Sequence, residues 1–422
     1  MNAYRFPGES DHPMALLQSL QSLLWICFFA YVGVLVRVVL TALSTLSKES
    51  MLASLGVSFF LPNIFGCFTM GIFVPMASQF KAYMPLHVGV TTGFCGSCTT
   101  FATWMTIAAI HILEGRWVDA ICQSIITFST SLLAYLLGSH LGEVLSRRIG
   151  VWCQMAVPPT ESTIPLQALH QGQAVDAKEA LTQTPSDLES EVILLAQPRI
   201  SALLTAGVMV LVAVSTGGVW YALLYDQSIY RSHWWVAVAF GPLGASLRFL
   251  LSPLNAKHSN FPLGTAAANA LGSAVNLGIL MVESWCCRAD AYELVRTQEE
   301  EQLLLYQFPD LSAHWARGTF RFWARVGLSG GGCGALSTVS TWVKEIYTIG
   351  RRNRRASYVY ALASVGLTQL GCLLMGGLWM HLKHPWPRWL KLRPQVEQAW
   401  RRFLLCTFFC LFFMLAEAAD VS

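Results

Sequence analysis

The sequence predicts an all-α membrane protein, with two inverted four-helix repeats joined by one linker transmembrane helix. Three observations predict this class. The 422-residue chain is 54% hydrophobic and only 12% charged, whereas soluble domains carry about 25% charged residues. Its apolar residues fall in runs long enough to cross a bilayer as helices, which takes about 20 residues. A block rich in Gly and Thr occurs twice, at 93–104 and at 331–342.

Apolar runs predict nine membrane-spanning helices. They lie roughly at 19–45, 52–77, 84–112, 118–145, 200–225, 233–252, 261–285, 321–349 and 356–381. The polar and acidic stretch at 151–198 has little to bury and is predicted to be a disordered linker. The apolar run at 403–416 is short, which favours an interfacial helix over a tenth span.

These spans divide the chain into five predicted segments. They are a first repeat at 1–150, a disordered linker at 151–199, a linker transmembrane helix at 200–226, a second repeat at 227–385, and a tail at 386–422. Four spans return the chain to the side on which it started, so the single linker helix inverts the second repeat. Inverted repeats place an ion or substrate site near the bilayer midplane, between the halves.

The repeated block reads GFCGSCTTFATW in the first copy and GGCGALSTVSTW in the second. Six of the twelve aligned positions are identical, which is typical of a duplicated unit. Gly-rich and hydroxyl-rich backbone at membrane depth is tolerated only where protein or an aqueous cavity satisfies its polar groups. Each copy therefore predicts a broken third helix and a candidate ion site.

Other motifs recur in the same order in both halves. The first span of each repeat carries Gly-x-x-x-Arg and the second carries Asn-x-x-Gly. The pairs are Gly33 with Arg37, Gly244 with Arg248, Asn63 with Gly66, and Asn269 with Gly272. Basic residues in short loops face the cytoplasm. The loop RRNRR at 351–355 is cytoplasmic if the N-terminus is also inside, which is the orientation that the sequence favours.

Taken together, these motifs resemble the Fluc and FEX (CrcB-like) fluoride channel family. The block at 93–104 is similar to the family's third-helix signature, and LGTAAANALG at 263–272 resembles its second helix. The 4 + 1 + 4 organisation resembles the eukaryotic FEX branch. The resemblance covers nearly all the predicted membrane portion, but neither 151–198 nor the tail after 385. It implies a passive plasma-membrane channel that exports F⁻ from the cytoplasm and confers fluoride resistance.

Polar side chains on the spans are candidates for the ion pathway. A pathway for strongly hydrated fluoride must replace water with hydrogen-bond donors such as amides and hydroxyls. Tyr360, Ser364 and Thr368 share one face of the ninth span and resemble the family's polar track. The alternative is that these hydroxyls bond to their own helix backbone. In the first half the matching stripe is Gln123, Thr127 and Ser131.

Buried amides and arginines add four further candidates. Asn63 and Asn269 are predicted to line the pore, with a helix-bridging role as the alternative. Arg37 and Arg248 lie within or near the ends of spans, where an ionisable residue is costly. They are predicted to attract anions into a vestibule, with snorkelling or capping of helix carbonyls as the alternative.

The resemblance also implies aromatic residues along two antiparallel pores. The family's phenylalanine positions hold Phe101 and Trp104 in the first repeat, but Val339 and Trp342 in the second. Each family pore pairs the first aromatic of one repeat with the second of the other. One pore thus keeps an aromatic pair and the other does not, which predicts one working and one degenerate pore. The predicted pore-lining residues are Asn63, Phe101, Trp104, Asn269, Ser340, Trp342, Tyr360, Ser364 and Thr368.

A structural Na⁺ is a further implication of the resemblance. In the family this ion lies where the two broken third helices cross, and backbone carbonyls bind it. The matching positions are Gly96 and Thr99 in the first repeat and Gly334 and Ser337 in the second. Carbonyl oxygens freed by a glycine-loosened turn are suitable ligands for such a cation.

Other functional classes are weaker alternatives. A coupled small-anion transporter would usually need a titratable residue at the midplane, and the nearest acid to the blocks, Glu345, lies near a helix end. A scaffold would not need paired breaks, and no metal-ligand spacing, nucleophile elbow or phosphate loop suggests an enzyme. The net charge of +4 is too small to indicate nucleic acid. Because both repeats are in one chain, a functional monomer in the lipid bilayer is expected.

Overall fold

The computed structural model describes residues 13–45, 59–156, 198–225, 229–287 and 323–383. Every regular element within these ranges is helical. The helices of the first half are α1 (Pro13–Thr45), α2 (Phe60–Phe73), α3 (the continuous segments Met84–Val88, Gly89–Cys95 and Gly96–Cys98), α4 (Phe101–Leu113) and α5 (Trp117–Ala156). They continue with α6 (Pro198–Tyr225), α7 (Ile229–Leu251), α8 (Leu263–Cys287), α9 (Trp323–Cys333 with Gly334–Leu336), α10 (Val339–Gly350) and α11 (Arg354–Lys383).

Seven helical segments of the described chain are long and apolar enough to cross a membrane. They are Leu16–Ser44, Met84–Leu113, Trp117–Ile149, Ala202–Tyr225, His233–Ala256, Leu263–Val282 and Arg354–Trp379. The predicted class of all-helical, multi-pass membrane protein is therefore confirmed. Two predicted spans, 52–77 and 321–349, are not among the seven. The first contains the shorter apolar helix α2, and the second is described only from residue 323 onwards.

Several helix ends differ from the predictions. The helix α2 ends at Phe73, and a 3-10 helix, Pro75–Tyr83, follows it because proline cannot continue the α-helical hydrogen bonding. The helix α5 continues to Ala156, about three turns beyond the predicted end of its span. The rest of the predicted disordered linker, from 157 to 197, and the apolar run at 403–416 lie outside the described residues.

The two halves of the chain pack against each other in a reciprocal way. From the first half, α2 contacts α10, and from the second half, α8 contacts α4. The helices α1 and α7 lie against each other, and each also packs closely on the third helix of its own half. The glycine of each Gly-x-x-x-Arg motif permits that approach, because a side chain at Gly33 would meet the carbonyl of Phe94 and one at Gly244 would meet that of Gly332.

The helix α6 lies along α1 and is joined to it by polar contacts. Gln21 Nε2 donates to Thr205 Oγ1 at 2.8 Å, and the hydroxyls of Tyr31 and Thr216 are 2.9 Å apart. Much of the rest of α6 is apolar and exposed, with Val210 and Val214 among its outward side chains. This surface is suited to lipid, where helices associate through packing and hydrogen bonds.

Candidate functional site

Both copies of the repeated block leave helical geometry for two residues. Thr99 has φ −89° and ψ 153°, and Thr100 has φ −138° and ψ 120°. Ser337 and Thr338 have nearly the same values, −85° and 151°, then −149° and 130°. These are extended conformations, far from the α-helical ψ of about −42°. A new helix begins directly afterwards, at Phe101 in one half and at Val339 in the other.

The hydroxyls of the two extended segments cap the helices of the opposite half. Thr99 Oγ1 accepts from the backbone N–H groups of Val339, at 3.2 Å, and of Ser340, at 3.3 Å. Ser337 Oγ accepts from those of Phe101, at 3.2 Å, and Ala102, at 2.9 Å. The first N–H groups of a helix have no partner within it. Each half therefore satisfies donors that the other half leaves free.

The hydroxyl of Ser340 also takes part in this crossing. Its Oγ donates to the carbonyl of Cys95 at 3.1 Å and lies 3.2 Å from the hydroxyl oxygen of Thr99. Ser340, Thr99 and Cys95 are all fully buried. The predicted pore-lining residue Ser340 thus lies at the contact between the two halves.

The two motif asparagines fix the extended segments. Asn63 Oδ1 accepts from Thr100 N at 2.8 Å, and its Nδ2 donates to Thr100 O at 3.3 Å. Asn269 makes the same pair of bonds to Thr338, at 2.7 and 3.1 Å. Both amides are fully buried. This geometry agrees with the helix-bridging alternative, and the pore-lining role of the two amides stays a prediction.

The predicted aromatic residues meet in one buried cluster. Phe101 and Trp342 come from opposite halves, and their ring centroids are 5.5 Å apart at an interplanar angle of 70°. Trp104 packs edge-on against both rings, at 5.2 and 5.9 Å. In an edge-to-face contact the electropositive rim of one ring points at the electronegative face of the other. Val339, at the position that lacks a ring, is fully buried beside this cluster.

The predicted polar track on α11 reaches the same cluster. Trp342 Nε1 donates to Ser364 Oγ at 2.7 Å. Ser364 Oγ in turn donates to the carbonyl of Tyr360, at 2.5 Å, and Thr368 Oγ1 donates to that of Ser364, at 2.7 Å. Both hydroxyls thus also make the backbone bonds of the alternative interpretation. The track and the aromatic pair form one continuous buried seam.

Glu345 joins this seam, although the sequence interpretation set it aside as lying near a helix end. Its carboxyl group accepts hydrogen bonds from Tyr360 Oη at 2.6 Å, Thr265 Oγ1 at 2.7 Å and Asn255 Nδ2 at 3.4 Å. The signal in the sequence was the spacing of Glu345 from Trp342, because residues three apart lie on the same face of a helix. The aligned position of the first half holds Ile107, so that half has no equivalent carboxyl group.

The matching stripe on α5 is buried but differently bonded. Gln123, Thr127 and Ser131 are at most 1% exposed. Among the residues that the structure describes, Thr127 Oγ1 has no hydrogen-bond partner, whereas Gln123 lies beside His111 and Ser131 lies beside Cys67. Trp104 Nε1 donates to Ser124 instead, at 3.2 Å. The two halves therefore differ in how indole, hydroxyl and carboxyl groups are connected.

The two motif arginines cross between the halves. Arg37 Nη2 donates to the carbonyls of Gly330, at 2.5 Å, and Gly331, at 3.3 Å. Arg248 donates to the carbonyls of Thr92, Gly96 and Ser337 at 2.5, 2.9 and 3.4 Å. The two arginines are 5% and 4% exposed. Capping of carbonyls is the alternative that this geometry matches, and the attraction of anions into a vestibule stays a prediction.

The predicted sodium ligands can be compared with these contacts. A shell of carbonyl oxygens from Gly96, Thr99, Gly334 and Ser337 is chemically suitable for a hard cation. Two of these oxygens, those of Gly96 and Ser337, accept hydrogen bonds from Arg248. A Na⁺ bound by the same oxygens would lie against a buried positive charge. The residues of the crossing, as they are arranged here, do not fit a bound sodium ion.

Comparison with known proteins identifies the family. The family model "CrcB-like protein, Camphor Resistance (CrcB)" matches residues 24–139 and 235–378, which are more than half of the chain. The chain belongs to the CrcB family. The resemblance seen in its motifs is therefore confirmed. The two matched ranges contain the aromatic cluster, both arginines and both asparagines of this CrcB protein.

Individual relatives of this CrcB protein are found in fungi and bacteria. "Fluoride export protein 1" of Neurospora crassa is 27% identical over an alignment of 394 positions, which covers 83% of this chain and 65% of that protein. "Fluoride export protein 1" of Candida albicans is 25% identical over 82% of this chain and 76% of that protein. "Fluoride-specific ion channel FluC 2" of Staphylococcus saprophyticus is 32% identical over 27% of this chain and 91% of its own. No solved structure matches the chain.

The coverage of these relatives has a simple pattern. The chain spans a little under two thirds of the Neurospora protein and about three quarters of the Candida protein. By contrast, an alignment of 116 positions covers almost the whole bacterial protein. One half of this chain is therefore similar in extent to a complete bacterial relative.

Proposed function

We propose that this chain is a passive, fluoride-selective channel that exports F⁻ from the cytoplasm and so confers fluoride resistance. The observation that carries the proposal is the seam at which Phe101 and Trp342, from opposite CrcB-matched halves, meet the hydroxyl track of α11. The names of the fungal and bacterial relatives supply fluoride as the ion.

The seam has the chemistry that a dehydrated anion needs. Indole N–H and hydroxyl groups donate hydrogen bonds without presenting a full charge, and aromatic rims carry partial positive charge. Trp342 supplies both, since its indole bonds to Ser364 and its ring packs against Phe101. In our proposal the hydroxyls of Ser364 and Thr368 rotate away from their backbone carbonyls to donate to the ion. Fluoride would then move from one donor to the next along α11.

The architecture that we propose is 4 + 1 + 4, with two inverted repeats, a linker helix (α6) and a broken third helix in each repeat. The extended torsions at Thr99 and Ser337 support the breaks. The reciprocal packing of α2 on α10 and of α8 on α4 supports the inverted relation. A CrcB match in each half supports the duplication, with the first repeat at 1–150 and the second at 227–385.

The two pathways of this architecture are unequal in our proposal. The first contains Phe101, Trp342, Glu345 and the hydroxyls of α11, and it is the working pore. The second has Val339 in place of a phenylalanine and Ile107 in place of the carboxyl group. Its indole, that of Trp104, donates to Ser124 rather than to the buried stripe of α5. We therefore assign the second pathway as the degenerate pore.

Location and assembly complete the proposal. A channel that protects the cytoplasm from fluoride acts at the plasma membrane. Because both repeats lie in one chain, and each caps the helices of the other, the monomer contains a complete crossing. The conducting form should therefore be monomeric. A protein that is only dimeric by native mass spectrometry, and whose monomers release no fluoride from liposomes, would contradict this part.

The direction of transport follows from acid chemistry and membrane potential. Hydrogen fluoride is a weak acid that enters by diffusion and dissociates inside, and the negative interior then drives F⁻ outward. The test is expression of the chain in a cell that lacks its own fluoride exporter. We expect growth on fluoride to recover and intracellular fluoride to fall. Membrane-localised protein that changes neither would refute the proposal.

A coupled small-anion transporter is the second candidate, and one observation favours it. Glu345 places a carboxyl group within the seam, where it accepts hydrogen bonds from Tyr360 and Thr265. A titratable group at that place is what coupling to protons would use. Fluoride efflux from liposomes separates the two functions. Only a coupled transporter would need a proton gradient, or would use one to move fluoride against its own concentration gradient.

A further inference from the structure

We propose that the guanidinium group of Arg248 is the cation that holds the crossing of the two halves together, at the place where the family resemblance implies a sodium ion. The proposal concerns the stability of the crossing and does not depend on which ion the chain conducts.

The position of one nitrogen atom is the first argument. Arg248 Nη1 lies 2.9 Å from the carbonyl oxygen of Gly96 and 3.4 Å from that of Ser337. These oxygens belong to different halves of the chain, and both are among the four that the resemblance implies as sodium ligands. A single positively charged group therefore already bridges the two halves at this point.

The second argument is electrostatic. The segments that end at Cys98 and at Leu336 each present one carbonyl near their C-terminal end to Arg248, that of Gly96 in the first and that of the capping residue Ser337 in the second. The C-terminal end of a helix carries a partial negative charge of about half a unit. Arg248 is only 4% exposed, and none of the ion pairs among the described residues joins it to a carboxylate. The carbonyls are therefore what compensates its charge, just as they would compensate that of a metal ion.

The third argument is steric. A side chain added at Gly96 would collide with the terminal nitrogens and the Cζ atom of Arg248. Glycine is therefore required at position 96, because the guanidinium group occupies the space that a side chain would need. Gly334 is close to Arg37 in the same manner. Arg37, however, donates to Gly330 and Gly331, which are not among the implied sodium ligands.

This difference between the arginines provides a matched control. Both are buried, both cross to the opposite half, and both donate to backbone carbonyls. Only Arg248 bonds to the oxygens that a sodium ion would use. Loss of Arg248 should therefore open a cation site, whereas loss of Arg37 should not.

The experiment compares the purified full chain in sodium chloride and in N-methyl-D-glucamine chloride at equal ionic strength. For the wild-type protein we expect the same melting temperature in both salts and no stoichiometric sodium by elemental analysis after exchange. Arg248→Gln should lower the melting temperature in N-methyl-D-glucamine, and sodium should restore part of the loss. Arg37→Gln should lower the melting temperature equally in both salts.

Two results would overturn the proposal. One is a wild-type protein that holds stoichiometric sodium after exchange, or that melts earlier without sodium. The other is an Arg248→Gln protein that is as stable as wild type in both salts. If Arg248→Gln does not fold, the sodium content and salt independence of the wild-type chain still decide the question.

Discussion

Thr99 and Ser337 occupy the same aligned position in the two copies of the repeated block, and each caps a helix of the other copy. Thr99 Oγ1 accepts from the first backbone N–H groups of α10, and Ser337 Oγ accepts from those of α4. Because of this exchange, the opposite half holds the first turn of each of these helices in position. Phe101, at the start of α4, is thereby fixed relative to Trp342 on α10.

The first prediction concerns this exchange. Ser337→Ala removes the acceptor for Phe101 N and Ala102 N, and should destabilise the protein by about 1 kcal/mol, the usual cost of a lost helix cap. Fluoride efflux should fall as well, because Phe101 loses its anchor. Thr130→Ala is the matched control, since that hydroxyl bonds only within its own helix. Thermal unfolding that shows equal small losses for both variants would contradict the role of the exchanged cap.

The second prediction concerns the unequal pathways. Phe101→Ile removes the only phenylalanine at a matched position and should abolish most fluoride resistance. Val339→Ile changes a site that has already lost its ring and should have little effect. The measurement is growth of fluoride-sensitive cells at equal membrane abundance of each variant. Equal loss of growth from the two changes would refute the assignment of one working pore.

The third prediction concerns Tyr360. Tyr360→Phe removes the hydroxyl that donates to Glu345 and leaves the carboxyl group with Thr265 and Asn255. We expect fluoride efflux to fall several-fold, because the Glu345 carboxyl group loses the one of its three donors that belongs to the track of α11. Tyr358→Phe on the same helix is the control, since Tyr358 is 68% exposed. Unchanged efflux in Tyr360→Phe liposomes would place the pathway elsewhere.

The fourth prediction concerns the two asparagines. Each amide makes the same pair of bonds to an extended threonine, so Asn63→Ala and Asn269→Ala should both destabilise the protein, by about 1–3 kcal/mol for the unpaired buried backbone groups. If Asn269 also lines the working pore, its variant should lose more fluoride efflux than Asn63→Ala at matched stability. Equal fluoride efflux in the two variants would contradict a pore-lining role for Asn269 and would show that both asparagines act only as helix bridges.

Much of the fold is predictable from local sequence. The apolar runs place the long helices, and the Gly/Thr blocks mark the two points where the backbone becomes extended. The end of α2 differed, because the prediction followed hydropathy to residue 77, whereas Pro75 starts a 3-10 helix. Local patterns carry this information since backbone hydrogen bonds in lipid must be satisfied within the helix.

The contacts of the site are much less predictable. Ser337 and Ala102 are far apart in the chain, and no periodicity indicates that one caps the other. For the arginines, the sequence left vestibule and capping roles open, because the choice depends on which carbonyls the opposite half presents. Glu345 was recognised as an acid but not as a partner, since Tyr360 reaches it only through the packing of α11 on α10.

Fluoride efflux from liposomes that contain the purified chain tests the central claim most directly. The liposomes hold equal fluoride and chloride, valinomycin and potassium set the voltage, and no proton gradient is applied. We expect rapid, voltage-driven fluoride release recorded by a fluoride electrode, with chloride release at the rate of protein-free liposomes. Equal release of the two anions, or fluoride release that requires a proton gradient, would contradict a passive fluoride-selective channel.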